Sequence, residues 1–263
     1  MAEYIEEEVF KNGYAIREGC NTAFLKELDL KVCKIVSDFE PSFKGALLEQ
    51  LHHHVDKSRV NELRLKIFNT LNERSDFRND YFSLGDKFIE ALCGTELAAN
   101  TKINFSIQLP FDDTSILPAH CDTFSGESSY QINLWVPLTR SFETNSMFIF
   151  KPKATKKVLQ DLKKYEVDGL DTIFDEFKMG DDYINLETNN GQVIIFTPTT
   201  LHGNRVNQTD ITRVSFNCRF KNLHAPYNAP EGSSKVLGQF YSALSEKGAT
   251  KIGRECSLFT LSE

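Results

Sequence analysis

The chain has 263 residues, 40% hydrophobic and 11% aromatic with 21 Phe, and a formal charge of −7. That is enough apolar material for a thick, ring-filled core in one large domain, or one domain plus a cap. The acidic balance argues against a nucleic-acid surface as the main partner, since phosphate contacts need clustered Lys and Arg, and no apolar run approaches the roughly 20 residues of a membrane helix. Cys20, Cys33, Cys93, Cys121, Cys218 and Cys256 form neither a C-x-x-C pair nor a disulfide rhythm, which fits a reduced, cytoplasmic setting. The opening MAEYIEEEVF is acidic and lacks an apolar stretch, so it does not read as a signal peptide.

In chain order, residues 4 to 16 read as a short amphipathic piece, an Asn12-Gly13 turn and a short strand at Tyr14-Ala15-Ile16. Thr22 is the expected N-cap of a helix running to about Phe39, with Phe24, Leu25, Leu28, Val32, Ile35 and Val36 near helical spacing and Pro41 as its stop. Residues 43–55, 57–72 and 76–92 read as three more helices, so residues 1–95 form a mostly helical N-terminal region. His52-His53-His54 lies there. Adjacent helical side chains point about 100° apart, so three in a row share no ligand face, and an exposed helical surface is the expectation.

From about Glu96 short alternating runs take over: Lys102–Leu109, Tyr130–Leu138, Ser146–Phe150, Gln192–Thr197 and Thr212–Phe220. Their parity separates two faces. Ile103, Phe105, Ile107 and Leu109 oppose Asn104, Ser106 and Gln108. Ile132, Leu134 and Val136 oppose Gln131, Asn133 and Trp135. Val214, Phe216, Cys218 and Phe220 oppose Arg213, Ser215, Asn217 and Arg219. A sandwich would turn the polar face outward, whereas a barrel holding a ligand turns it inward at its mouth; alternation alone does not choose. Residues 151–182 read as an insertion with short helices at Val158–Tyr165 and Leu170–Phe177, broken by Gly169 and Gly180. Asn189-Asn190-Gly191 is a tight turn. After a loop, a helix is expected near Lys235–Ser245, then a tail.

The chemistry concentrates at LPAHCDTFSGESSYQINLW, residues 117–135. His120 and Asp122 are two apart on what reads as a strand, so they share a face and Cys121 takes the other. A third ligand must come from elsewhere, and His202, in FTPTTLHGN, is the candidate, 80 residues beyond Asp122. Arg213 follows eleven residues later. Two His and one carboxylate leave three coordination positions open for oxygen chemistry at Fe(II), and a downstream Arg suits an anionic co-substrate. The converging ligands favour the inward reading of the polar face.

The order H-x-D, distant His, then Arg resembles the Fe(II)- and 2-oxoglutarate-dependent oxygenases. Within them HCDTFSGESSYQINLWVPL and LHGNRVNQTDITRVSFNCRF are most similar to the phytanoyl-CoA-dioxygenase-like branch and to bacterial oxygenases of carbohydrate and aminoglycoside clusters. The resemblance covers about residues 100 to 222, with FKNGYAI and NELRL fitting more loosely. It implies an α+β chain whose core is a double-stranded β-helix, a jelly-roll or cupin-like barrel, over residues 96–224, with residues 225–263 adding a loop, a helix and a tail. It implies Fe(II) on His120, Asp122 and His202, 2-oxoglutarate on Arg213 with a hydroxyl from Ser215, O2 as oxidant, and a small-molecule substrate of sugar or aminoglycoside type. Gln108, Gln131, Asn133 and Trp135 are the candidate substrate residues.

Taken singly, each residue has a plainer role: His120 as a hydrogen-bonded strand residue, Asp122 as a loop cap, His202 in a turn, Arg213 in a surface ion pair. Their joint order and spacing favour the site. Trp135 fits core or pocket. A cupin-like metal isomerase or epimerase would use the same three ligands without needing Arg213, and a non-catalytic sugar-binding barrel would need none of them.

Overall fold

The computed structural model describes residues 4–162, 172–227 and 229–256. The N-terminal helices are α1 (Ile5–Asn12), α2 (Thr22–Phe39), α3 (Val60–Asn72), α4 (Phe77–Phe82) and α5 (Asp86–Cys93). Helix α2 has the expected span, but its cap lies one residue earlier: the Asn21 side chain accepts from the Phe24 backbone N at 3.0 Å, and Thr22 is the first helical residue. The predicted helices 43–55, 57–72 and 76–92 are shorter than expected. The first forms no α-helix, only a 3-10 turn at Leu48–His53, and the second opens on a 3-10 turn at Lys57–Arg59 before α3. Asp56 caps the second of these through Ser58. The last is split at Gly85, where a Cβ would lie 2.8 Å from the end of the Leu134 side chain, so a larger residue here would have to displace it. His52 and His54 take separate partners, Thr212 and Ser42.

Strands follow as β1 (Tyr14–Glu18), β2 (Leu97–Asn100), β3 (Asn104–Gln108), β4 (Gln131–Pro137), β5 (Met147–Phe150), β6 (Tyr183–Asn185), β7 (Gln192–Phe196), β8 (His202–Asn204), β9 (Arg213–Asn222) and β10 (Tyr241–Ser245). They make two antiparallel sheets. One runs β1-β7-β4-β9-β2-β10 with β3 also on β9, and the other runs β6-β5-β8. The sheets are open rather than closed into a barrel. Between β5 and β7 lie α6 (Pro152–Gln160), α7 (Ile173–Glu176) and β6. The helix expected at Val158–Tyr165 begins earlier, at Pro152; residues 163–165 of that expectation, Gly169 and the start of Leu170–Phe177 lie outside the described residues. The helix expected at Lys235–Ser245 is not formed. Gly238 takes φ +87°, which interrupts a helix, and Tyr241–Ser245 pairs with the otherwise unpartnered side of β2; the C-terminal helix is α8 (Gly248–Cys256). Among the described residues no helix is long and apolar enough to cross a membrane.

The alternation of β3, β4 and β9 divides the large sheet into two faces. Phe105, Ile107, Ile132, Leu134, Val136, Val214, Phe216, Cys218 and Phe220 pack against α2 to α5 through Leu28, Val32, Leu63, Ile67, Phe77 and Ile89. Burial of each such side chain contributes about 1.5–3 kcal/mol. Tyr81 adds a polar anchor, its hydroxyl donating to the Leu134 carbonyl at 2.8 Å. The other face carries the polar rows in register across strands: Ser106 opposite Ser215, Gln108 opposite Arg213, Asn133 opposite Arg219 and Trp135 opposite Asn217. This face turns toward the small sheet, where Trp135, Ile194 and Phe196 meet Met147 and Ile149.

Candidate metal centre and its cavity

His120 and Asp122 do not share a regular strand. His120 sits in a single bridge to His202, each backbone N donating to the other's carbonyl at 3.0 and 2.9 Å. Asp122 opens a 3-10 turn, Asp122–Ser125. The alternation nonetheless survives through the extended Cys121, whose buried side chain goes to the opposite side, against Phe148 and Leu201. Gly203 permits the bridge. A Cβ there would lie 2.5 Å from the Leu117 carbonyl and 2.8 Å from that of Pro118, so a side chain would push the segment carrying His120 away from β8.

The two imidazoles lie 4.4 Å apart between ring centroids. Each Nδ1 is 2.8 Å from a carbonyl two residues back, Pro118 for His120 and Thr200 for His202. Those carbonyls can only accept, so each Nδ1 carries a proton and each Nε2 is turned to Asp122, to donate to its carboxylate when protonated or to give an ion its lone pair when not. Asp122 Oδ1 is 3.5 Å from His120 Nε2 and 3.6 Å from His202 Nε2, and the three ligating atoms lie within 4.8 Å of one another. Ligands about 2.1 Å from one ion at right angles sit about 3 Å apart, so a small inward movement closes this set around a metal. The donor set, two neutral nitrogens and one carboxylate oxygen, fits a first-row divalent ion.

The Asp122 carboxylate is buried and fully engaged. Oδ2 accepts from Asn133 Nδ2 at 2.7 Å and from Arg219 Nε at 3.0 Å, and the second Arg219 nitrogen donates to Oδ1 at 3.0 Å. Burial alone would raise the Asp122 pKa; the hydrogen bonds to His120 and His202 and the Arg219 charge outweigh it and hold the carboxyl far below its ordinary range. Burial likewise opposes the Arg219 charge, but Asp122 and Glu127 overcome it and raise the guanidinium pKa. Behind this pair, buried Glu127 accepts from Lys235 and from the Tyr241 hydroxyl, which also bonds Gln131.

A cavity of about 410 Å³ opens over the three ligands, with His120, Asp122, His202, Trp135, Arg213, Ser215 and Arg219 in its lining. Arg213 is 5% exposed and has no carboxylate beside it among the described residues. One terminal nitrogen reaches Ser106 Oγ at 3.4 Å, its Nε is buried without an acceptor, and the neighbouring Ser215 Oγ is also unpartnered. The Trp135 ring lies 5.7 Å from the guanidinium carbon. Burial lowers the Arg213 pKa to about 10.

Of the candidate substrate residues, Trp135 lines the cavity, while Gln108, Gln131 and Asn133 lie outside its lining. Gln108 donates to the Arg205 carbonyl and Gln131 is in hydrogen-bond contact with the Tyr241 hydroxyl. Arg219, Glu127, Lys235 and Tyr241 were not singled out from sequence. Parity placed Arg219 on the face of Arg213, but nothing local marks it as the partner of a carboxylate 97 residues away.

No protein-family profile and no curated protein matches the sequence. Solved structures do. A non-haem monooxygenase, ThoJ in its nickel complex, superposes with a TM-score of 0.56 at 16% identity, covering 93% of this chain and 84% of that one. EctD from S. alaskensis with bound Fe gives 0.51 at 11% identity, covering 84% and 77%. The non-haem alpha-ketoglutarate-dependent carbocyclase SnoK from nogalamycin biosynthesis gives 0.51 at 13% identity, covering 93% and 97%. The chain thus shares the mixed helical and antiparallel-sheet fold of these three enzymes, and it carries a His, Asp, His cluster at its cavity.

Proposed function

We propose that the protein is an Fe(II)- and 2-oxoglutarate-dependent dioxygenase that oxidises a small polar metabolite. The observation that carries this reading is Arg213: a buried guanidinium without a carboxylate partner among the described residues, opening into the same cavity as His120, Asp122 and His202. Such a charge is costly unless an anion satisfies it. The planar fork of Arg213, with the free hydroxyl of Ser215 beside it, matches the distal carboxylate of a dicarboxylic acid. A metal-only isomerase gives Arg213 no task.

In this reading His120 and His202 hold the metal through Nε2, their Nδ1 protons anchored on carbonyls, and Asp122 supplies one oxygen. Bound iron with 2-oxoglutarate and O2 would supply the oxidising power, leaving succinate and CO2. Arg213 and Ser215 set the co-substrate's direction, and Trp135, Phe196 and Met147 shield the metal from bulk water. Apart from Asp122, itself held by Arg219, the described lining carries no carboxylate, so it favours a neutral sugar or polyol over the polycation of an aminoglycoside. Asn104, Ser115, Asn204 and Asn217 offer hydrogen bonds to hydroxyls, and Trp135 an apolar ring.

The two facing sheets support the reading of a double-stranded β-helix core over residues 96–224 with an insertion at 151–182, to which the flanking regions 1–95 and 225–263 add helices and the strands Tyr14–Glu18 and Tyr241–Ser245. Incubating the protein with Fe(II), 2-oxoglutarate, O2 and a panel of neutral sugars and polyols, and following succinate, tests the activity. Iron-loaded protein that neither binds 2-oxoglutarate nor forms succinate would reject it in favour of the isomerase.

A further inference from the structure

A carboxylate can hold a metal through one oxygen or both, and the difference decides how many positions remain for co-substrate and oxygen. Asp122 is not free to choose. Arg219 grips it edge-on, Nε to Oδ2 and the terminal nitrogen to Oδ1, both at 3.0 Å, while Asn133 occupies the remaining side of Oδ2 at 2.7 Å. Only Oδ1 faces the two Nε2 atoms. Turning the carboxylate to present both oxygens would break the fork and the Asn133 bond together.

The fork is itself braced. The Arg219 backbone N donates to Asn100 Oδ1 at 3.0 Å, and Glu127 stands 3.9 Å from Arg219 Nε. Glu127 is pinned by Lys235 and by Tyr241 of β10. Two carboxylates, Asp122 and Glu127, thus balance two cations, Arg219 and Lys235, before any metal arrives. The ligand oxygen is held ready rather than recruited by the ion.

We propose that Arg219 is a positioning residue that restricts Asp122 to one-oxygen ligation and so keeps three metal positions open. The proposal rests on the reading that His120, Asp122 and His202 hold the metal. Without Arg219, Asp122 swings to chelate through both oxygens. The metal stays bound, and one open position is lost.

The test uses Mn(II), which needs no turnover: its enhancement of water-proton relaxation counts the waters on the bound ion. Wild-type protein should show about three exchangeable waters, as a facial ligand set leaves. Arg219→Met and Arg219→Lys should bind Mn(II) within about tenfold of wild type but lose about one third of the relaxation enhancement. Arg219→Lys keeps the charge without the fork, so it carries the test if Arg219→Met melts below the assay temperature. Folded variants with the wild-type water count would overturn the proposal, as would folded variants that lose Mn(II) altogether. Wild-type protein that binds no Mn(II) would instead overturn the metal reading and take this proposal with it.

Discussion

Replacing Arg213 separates an oxygenase from any other metal site on this fold. The guanidinium is 5% exposed, its only described side-chain bond is a 3.4 Å contact to Ser106, and burial has already lowered its pKa to about 10. A dicarboxylate bound there gains a buried, charge-assisted fork. Removing one side of such a pair costs roughly 2–5 kcal/mol, about 30-fold to several thousand-fold in affinity. Arg213→Ala should fall in that range, and Arg213→Lys, which keeps the charge but not the fork, should lose less. Metal affinity should change little, because Arg213 contacts none of the three candidate ligands. The assay is calorimetry of wild type and both variants, loaded with a redox-inert divalent metal and titrated with N-oxalylglycine. Removal of a buried, unpaired charge should also leave unliganded Arg213→Ala at least as stable as wild type, since no described carboxylate is orphaned. Equal analogue affinity in wild type and Arg213→Ala would refute the co-substrate assignment.

Asp122→Ala should abolish metal binding and also lower the melting temperature, because it leaves Arg219 buried without its partner; breaking one side of a buried pair costs about 3–5 kcal/mol. The sign of the pH dependence follows from the depressed pKa of Asp122: its contribution is complete above its unfolded value, near 4, and is lost as pH falls toward the folded value. Acid titration of metal-free wild type should therefore show a stability loss below about pH 4 that Asp122→Asn lacks in part. Trp135→Leu should both destabilise the fold, since the ring packs with Met147 and Phe196, and raise 2-oxoglutarate consumption uncoupled from product; unchanged coupling with a lower melting temperature would mark Trp135 as core alone. Gly203→Ala should weaken metal binding by at least tenfold while the helices and large sheet melt nearly as before, because its Cβ collides with the carbonyls of Leu117 and Pro118 beside His120; near-UV and far-UV circular dichroism with metal titration would check this.

What the amino-acid order determined by itself is whatever depends on neighbours along the chain. Strand alternation put Arg213, Ser215, Asn217 and Arg219 on one face and Val214, Phe216, Cys218 and Phe220 on the other, because side-chain direction follows backbone pleat. The same two-residue period carried His120 and Asp122 to one side even though the regular strand was not formed. The 3.6-residue period of Phe24, Leu28, Val32 and Val36 delimited α2. What only the tertiary structure decided depends on partners far away in sequence. Strands β2 and β8 are too short to declare a period, and they exist because an adjoining strand offers unpaired backbone groups; β10 formed on the edge of β2 where residues 235–245 alone read as helix. Asn133 lay on the predicted inner face, yet its direction does not say that it meets Asp122 rather than a substrate. The Arg219 fork on Asp122 spans 97 residues and two elements, and Glu127 reaches it only because β10 brings Tyr241 alongside. Distance between side chains from separate elements is set by how sheets pair and stack, and no local pattern carries it.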